Sequence, residues 1–502
     1  MLGQIGSEKR DGLSTWMQAL IGAGLLAFAS ALATPATASP STAAPKSYPE
    51  PVFRDLPGKL LKPFSKVGIS PDDLAVQAMP IPPYVKSRPL AYTHGADRLM
   101  NPASVAKVFT TGLALDALNS TYRFKTAFMA AAEPVDGVLN GPLYIRGGGA
   151  PDFMTQDLWS ALRALRMKGI KTIRGPVVLD DTLFSDVGVA LTAADAEAFD
   201  EAPHRAYNAQ PYALLMNLGA MSLTLEINQG VVQVIAEEAP ANWAFVSDIK
   251  LTPGVCGAWK NSMDVDFAKK GGNVVVTVKG AYPRGCGTAR LPIRIPPQDW
   301  LWESWFREIW AQLGGELGGP VIKGKTPTNT VELYTAVGKT LAEDVRQVNK
   351  WSNNVMARHL ELAVAGSPQA FNNKMIQWLQ GQGIRTPDWY FENGSGLSRS
   401  TRVDARGLTE FLRNMALRAD FPDYLSSFPR AGVDGTLQKR VNSVDGYAYL
   451  KTGSLSGVRS VAGYLRDREG QWWSVAVLVK SPNAAEAWSG IDAVMDFLYR
   501  GD

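Results

Sequence analysis

The spacing of apolar residues divides the chain into segments of different character. From about residue 120 to 300, short runs such as "GPLYIRGGG", "GPVVLDDTLF", "MSLTLEI", "GVVQVIAEE" and "NVVVTVKGAYP" alternate or cluster β-branched residues between Gly, Pro and Asn breakers, which predicts strands. Helices are predicted at 155–169, "TQDLWSALRALRMKG", and at 299–315, where Trp302, Trp305, Phe306 and Ile309 fall at helical spacing as a core face. From Thr340 the period lengthens: Thr340 and Glu343 form a capping box ahead of "LAEDVRQVNKWSNNVMARHLELAV", and "NNKMIQWLQGQG" and "DARGLTEFLRNMALR" follow. Three strands, "YAYLKTG", "VRSVAGYLRD" and "WWSVAVLVKS", and a last amphipathic helix close the chain. The pattern predicts an α+β protein, an antiparallel sheet with helices, and contains no internal repeat.

The N-terminal pattern differs. Lys9 and Arg10 precede the apolar run Trp16 to Ala33, and Ala36-Thr37-Ala38 supplies an A-x-A site, so residues 1–38 are expected to be an export signal. Ala31-Leu32-Ala33 is a second cleavage candidate, and an uncleaved anchor, with peripheral membrane association, is the alternative. Residues 39–54 are rich in Pro, Ser and Ala and read as a linker. Export gives the two cysteines meaning: Cys256 and Cys286 are expected to form a disulfide. None of His94, His204 and His359 makes a zinc spacing with them, and no metal or cofactor is expected. A formal charge of +4, from 51 basic and 47 acidic residues without a basic block, gives no reason to expect a nucleic-acid partner.

The chemistry centres on "NPASVAKVFTT", Asn101 to Thr111, where Ser104 and Lys107 would share one face of a helix. Alone, the pair also fits a helix N-cap and a snorkelling lysine. A second S-x-x-K, Ser247 to Lys250, has the polar alternation of a surface strand end. Downstream of Ser104 stand a Ser-x-Asn, Ser352 and Asn354, and a Lys-Thr-Gly, Lys451, Thr452 and Gly453. The order S-x-x-K, S-x-N, K-T-G matches the serine penicillin-binding and β-lactamase set. These parts suit acyl transfer, with Ser104 as nucleophile, Lys107 as base, Ser352 passing a proton and Asn354 positioning. Lys451 and Thr452 would hold a carboxylate, and the N–H groups of Ser104 and Ser454 would hold an oxyanion.

From about residue 55 onward the chain resembles the low-molecular-mass class C penicillin-binding proteins, the D-alanyl-D-alanine carboxypeptidase/endopeptidase family, through "MNPASVAKVFTT", "VNKWSNNVMAR", "NGSGLSR", "AGVDGTL" and "LKTGSLSGV". The resemblance implies a β-lactamase/DD-peptidase-like catalytic domain in two parts, 55–119 and 329–502. They are separated by an inserted β-rich region, 120–328, of two nested domains that carries the disulfide. It also implies a periplasmic enzyme acting on peptidoglycan stem peptides and inhibited by β-lactams. Arg399 matches the family arginine facing the substrate side chain, Asn217 stands where some members offer an aspartate, and Ala150 replaces an acidic residue in a turn. A β-lactamase or esterase on the same fold is the alternative. Fast β-lactam hydrolysis needs a second base, and no glutamate element beside S-x-x-K supplies one. "GPVIKGKT", Gly319 to Thr326, fits a phosphate-binding loop but lacks the strand before it and the helix after it. With no G-x-S-x-G elbow, His94 and His204 read as solvated or core residues rather than triad members.

Overall fold

The computed structural model describes residues 48–185, 199–295 and 298–501. The expected export signal and its cleavage sites lie outside the described residues; among those described, no helix is long and apolar enough to cross a membrane.

A six-stranded sheet forms the base, in the order Val52–Asp55, Leu90–His94, Leu74–Pro80, Trp472–Lys480, Val458–Arg466, Ala448–Leu455. Every pairing is antiparallel except the first. Alternation divides the inner strands between two cores: Leu74, Val76, Val475, Val477 and Val479 face the last helix, Trp488–Arg500, whereas Ala75, Ala476 and Leu478 face the remaining helices. Residues 52–54 were expected in the linker but, with Asp55, pair in parallel with Leu90–His94. All four are exposed, so burial left no apolar alternation to read.

The region after the serine helix Lys107–Leu118 builds a five-stranded sheet, ordered Val321–Lys323, Val177–Asp180, Leu143–Gly147, Arg123–Ala130, Val331–Thr340. That sheet runs past the expected boundary at 328, because Val331–Thr340 pairs with Arg123–Ala130; two register shifts in this strand blur its alternation. Between its strands the chain forms three three-stranded sheets, one around Ala220–Asn228, one around Asn273–Pro283 and a short one of Glu316–Leu317, Thr172–Ile173 and Val138–Leu139. Helix Gln298–Gln312 packs against this region through its buried tryptophans: Trp302 donates to the Leu214 carbonyl at 2.7 Å, and the Trp243 indole donates to Ser304 at 3.0 Å. A Cys256–Cys286 disulfide, with Cα atoms 4.5 Å apart, joins two loops of the same region.

Gly319–Thr326 holds no nucleotide loop. Val321–Lys323 is an edge strand paired with Val177–Asp180, and Asp180 accepts from the Thr326 N–H at 2.7 Å. Ser247 and Lys250 lie exposed on strand Trp243–Thr252.

Candidate active site

Ser104 lies in a 3-10 turn, Ala103–Ala106, that runs directly into the helix beginning at Lys107. The turn is held from both sides by small residues and short polar bonds. Asn101 accepts from the Ala103 N–H at 2.8 Å and donates to the Ser398 carbonyl at 2.9 Å, while Ser460 donates to the Pro102 carbonyl at 2.6 Å. A Cβ on Gly396 would lie 2.0 Å from the Ala103 carbonyl oxygen, and one on Gly453 would lie 2.5 Å from that of Pro102. Both glycines are therefore demanded by close approach, which accounts for the last letter of K-T-G. Ser104 caps no helix; its hydroxyl is hydrogen-bonded with Lys107 Nζ at 3.0 Å.

Lys107 is completely buried, and its amino group lies within hydrogen-bond distance of three oxygens: Ser104 Oγ at 3.0 Å, Asn354 Oδ1 at 2.7 Å and the Ser395 carbonyl at 2.5 Å. Burial, reinforced by the charge of Lys451, holds its pKa well below that of an ordinary lysine. Ser352 ends helix Leu341–Trp351 in the left-handed region, φ 61°, and Asn353 caps the next helix, Asn354–Ala365, by accepting from the Met356 N–H at 3.0 Å. The helical segment expected here is thus broken at Ser352, so that Ser352 and Asn354 present side chains in different directions. Asn354 directs its oxygen to Lys107, and its amide donates to the Tyr207 carbonyl at 3.0 Å. Lys451, also completely buried, donates to Ser352 Oγ at 2.8 Å and to the Thr452 carbonyl at 2.7 Å; burial lowers its pKa to about 7.

Thr452 donates to the Thr436 hydroxyl at 2.8 Å, and Ser454 is exposed at the strand edge opposite Arg459. Ser104, Lys107 and Asn354 form one set of hydrogen bonds and Ser352 and Lys451 another, the Lys451 charge being near enough to act on Lys107, with Thr452 and Gly453 following on the same strand. Arg399 belongs to a separate contact: it pairs with Asp200 at 2.7 Å, donates to the Ser456 carbonyl at 3.3 Å and lies 5.1 Å over the Phe199 ring. The acidic residue that the inserted region sets against this arginine is Asp200. Asn217 instead bonds Thr155 at the start of helix Thr155–Met167.

Several site groups left no local mark in the sequence. Ser395 and Tyr207 act through backbone carbonyls, and Asp200 and Thr436 lie far along the chain from the residues they touch. Glu361 is fully buried behind the site: it accepts from the Gly394 N–H at 2.7 Å, its other oxygen has no partner, and burial raises its pKa to about 7. Its spacing from Asn354, seven residues on one helix, was the available signal.

The model of the D-Ala-D-Ala carboxypeptidase 3 (S13) family matches residues 73–500, and so spans every one of these groups. The chain belongs to that family. It is 28% identical over 398 residues to the D-alanyl-D-alanine carboxypeptidase DacB of Haemophilus influenzae, covering 75% of this chain and 80% of that protein. Penicillin binding protein 4 (dacB) from Haemophilus influenzae shares the fold, with a TM-score of 0.73 at 24% identity over 88% of this chain and 99% of the other. The structure of that protein complexed with a novel β-lactam gives 0.68 over the same shares, also at 24% identity. The S13 protein is accordingly a serine D-Ala-D-Ala carboxypeptidase by family, built on an α+β penicillin-binding-protein fold.

Proposed function

We propose that this enzyme is exported to the periplasm and cleaves D-Ala-D-Ala ends, peptide cross-links, or both, in peptidoglycan, through an acyl-enzyme on Ser104 that penicillin also forms. The observation that carries this reading is the buried Lys107 amino group 3.0 Å from Ser104 Oγ, with its pKa held well below the usual value. A neutral lysine amine is a base, and the serine beside it is the weak nucleophile that such a base activates.

In this mechanism Ser104 Oγ bonds to the substrate carbonyl carbon while its proton passes to Lys107. The developing oxyanion is met by the N–H of Ser104, which as one of the first in a helical turn has no partner within it, and by that of Ser454 on the edge strand. The C–N bond then breaks. Ser352, bonded to Lys451 at 2.8 Å, gives its proton to the leaving amine and takes one from Lys451, and Asn354 keeps Lys107 aligned. Water releases the acyl group in the second half-reaction, with the same proton route reversed. Among the described residues neither Ser104 nor Lys107 hydrogen-bonds a carboxylate, which favours a peptidase over a β-lactamase. In this reading Arg399, paired with Asp200 at 2.7 Å, faces the side chain of the stem peptide.

The test is digestion of purified peptidoglycan with products separated by mass. Loss of terminal D-Ala or of cross-linked dimers, blocked by penicillin, is the expected result. Unchanged muropeptides, or cleavage that penicillin leaves intact, would overturn the proposal.

A further inference from the structure

Away from the acylation site, a cavity of about 250 Å³ opens between strands Arg123–Ala130 and Val331–Thr340 and the first turns of helices Thr155–Met167 and Leu341–Trp351. Its polar lining includes Arg123, Asp152, Gln156, Asp157, Lys339 and Glu343. Two of these carboxylates are committed to helix starts: Asp157 accepts from the Met154 N–H at 2.8 Å, and Glu343 accepts from the N–H and hydroxyl of Thr340 at 2.8 and 2.7 Å. Asp152 is left with Lys339, 3.2 Å away. Behind it stands Asp344, completely buried, with no hydrogen-bond partner for either oxygen among the described residues. The charges of Asp152, Lys339 and Glu343, all lining residues, act on it. Asp152 and Asp344 thus share a single ammonium group, and a buried polar set short of donors is costly. Arg123 donates to the Gly338 carbonyl at 2.8 Å and forms no ion pair among the described residues. The cavity therefore lacks a cationic donor for its acid pair and an anion for its arginine. Among the described residues no three His, Cys, Asp or Glu side chains converge to hold a metal ion, so the missing cation is one that donates hydrogen bonds.

We propose that this cavity binds a small zwitterionic amino acid, its ammonium group set against Asp152 with Asp344 behind, and its carboxylate against Arg123. A primary ammonium brings three donors and one positive charge, which the acid pair lacks. A guanidinium takes a carboxylate in a planar fork. The volume admits an amino acid with a small side chain together with water. The site does not depend on the acyl-enzyme mechanism, but a D-Ala-D-Ala carboxypeptidase releases a molecule of this class, free D-alanine.

The probe is free D-alanine, followed by ligand-observed NMR titration of the intact chain after acylation by penicillin, which keeps the amino acid out of the active-site groove. Two analogues are titrated alongside: D-alaninamide, which keeps the ammonium group and lacks the carboxylate, and N-acetyl-D-alanine, which lacks the ammonium group. D-alanine should bind most tightly, the amide more weakly and the N-acetyl compound not at all. Asp344→Asn should raise Kd for D-alanine by about 10-fold or more, the scale for losing one charged partner. Arg123→Gln should bring the Kd for D-alanine to that for the amide and leave the amide unchanged. Circular dichroism checks that both variants are folded. No binding of D-alanine to the parent, equal binding of D-alanine and its N-acetyl form, or a parental Kd in either folded variant would overturn the site. A chain that penicillin does not label would contradict the acyl-enzyme reading instead, and the same titrations on the unlabelled chain would then decide the cavity.

Discussion

In the proposed mechanism Lys107 acts as a base because of where it is held. Its amino group sits in a fully buried cage of two side-chain oxygens and one carbonyl, and the desolvation that would be a defect elsewhere holds its pKa well below that of an ordinary lysine. A guanidinium in the same place would stay charged near neutral pH and could not accept the Ser104 proton. Lys107→Arg should therefore reduce the acylation rate by about 100-fold or more; stopped-flow or gel-based acylation kinetics with a labelled penicillin would show it. An arginine variant acylating at the parental rate would remove Lys107 from the base role. At this scale the sequence was informative, since S-x-x-K, S-x-N and K-T-G are short local spacings and each residue type suits its chemistry. It was silent on Ser395, Tyr207 and Thr436, because a carbonyl or a lone hydroxyl becomes a partner only when the chain has folded.

The helix Asn354–Ala365 shows how an element extends the site backwards. Asn354 bonds Lys107 at one end, and Glu361, two turns on, bonds the Gly394 N–H; Thr110 of the serine helix donates to the Gly394 carbonyl at 2.7 Å, and the next carbonyl, Ser395, receives Lys107. Glu361 thus positions the turn that positions the lysine. Glu361→Leu should slow acylation by about 10-fold or more, the scale for small misplacement of reacting groups. Glu361→Gln, which retains an acceptor for the Gly394 N–H, should recover most of the rate. Equal rates in Glu361→Leu and parent, measured on folded protein, would contradict this assignment. The elements themselves were legible wherever one face is buried: the capping box at Thr340 and Glu343, the tryptophan face of Gln298–Gln312 and the C-terminal strands all form as the periodicity predicts. Exposed Val52–Asp55 and the bulged Val331–Thr340 were not, and the break at Ser352 rests on a left-handed serine that no propensity favours.

Across the whole molecule, the inserted region and the helices of the site are joined by contacts that no local pattern announces. Besides Tyr207 and Asp200, Gln210 accepts from Arg358 at 2.6 Å. Residues 200–210 therefore touch Asn354, Arg358 and Arg399, which the proposed function places in or beside the acylation site. A second junction is acidic. Asp344 is buried near Asp152 and Lys339 with neither oxygen hydrogen-bonded, and burial, then the charge of Asp152, raises its pKa to about 9. The folded state keeps this proton where the unfolded chain releases it, so the contribution of Asp344 is complete below the ordinary carboxylate range and is lost as pH rises through about 9. Asp344→Asn, which needs no proton, should gain stability over the parent by about 1–3 kcal/mol at pH 8 and less at pH 5. Denaturation midpoints with no such trend would contradict the burial argument. The central claim remains the acyl-enzyme. Mass spectrometric mapping of the purified protein after brief exposure to penicillin tests it most directly: the account predicts one covalent adduct on Ser104 that is absent from Ser104→Ala, and an adduct on another residue, or none, would contradict it.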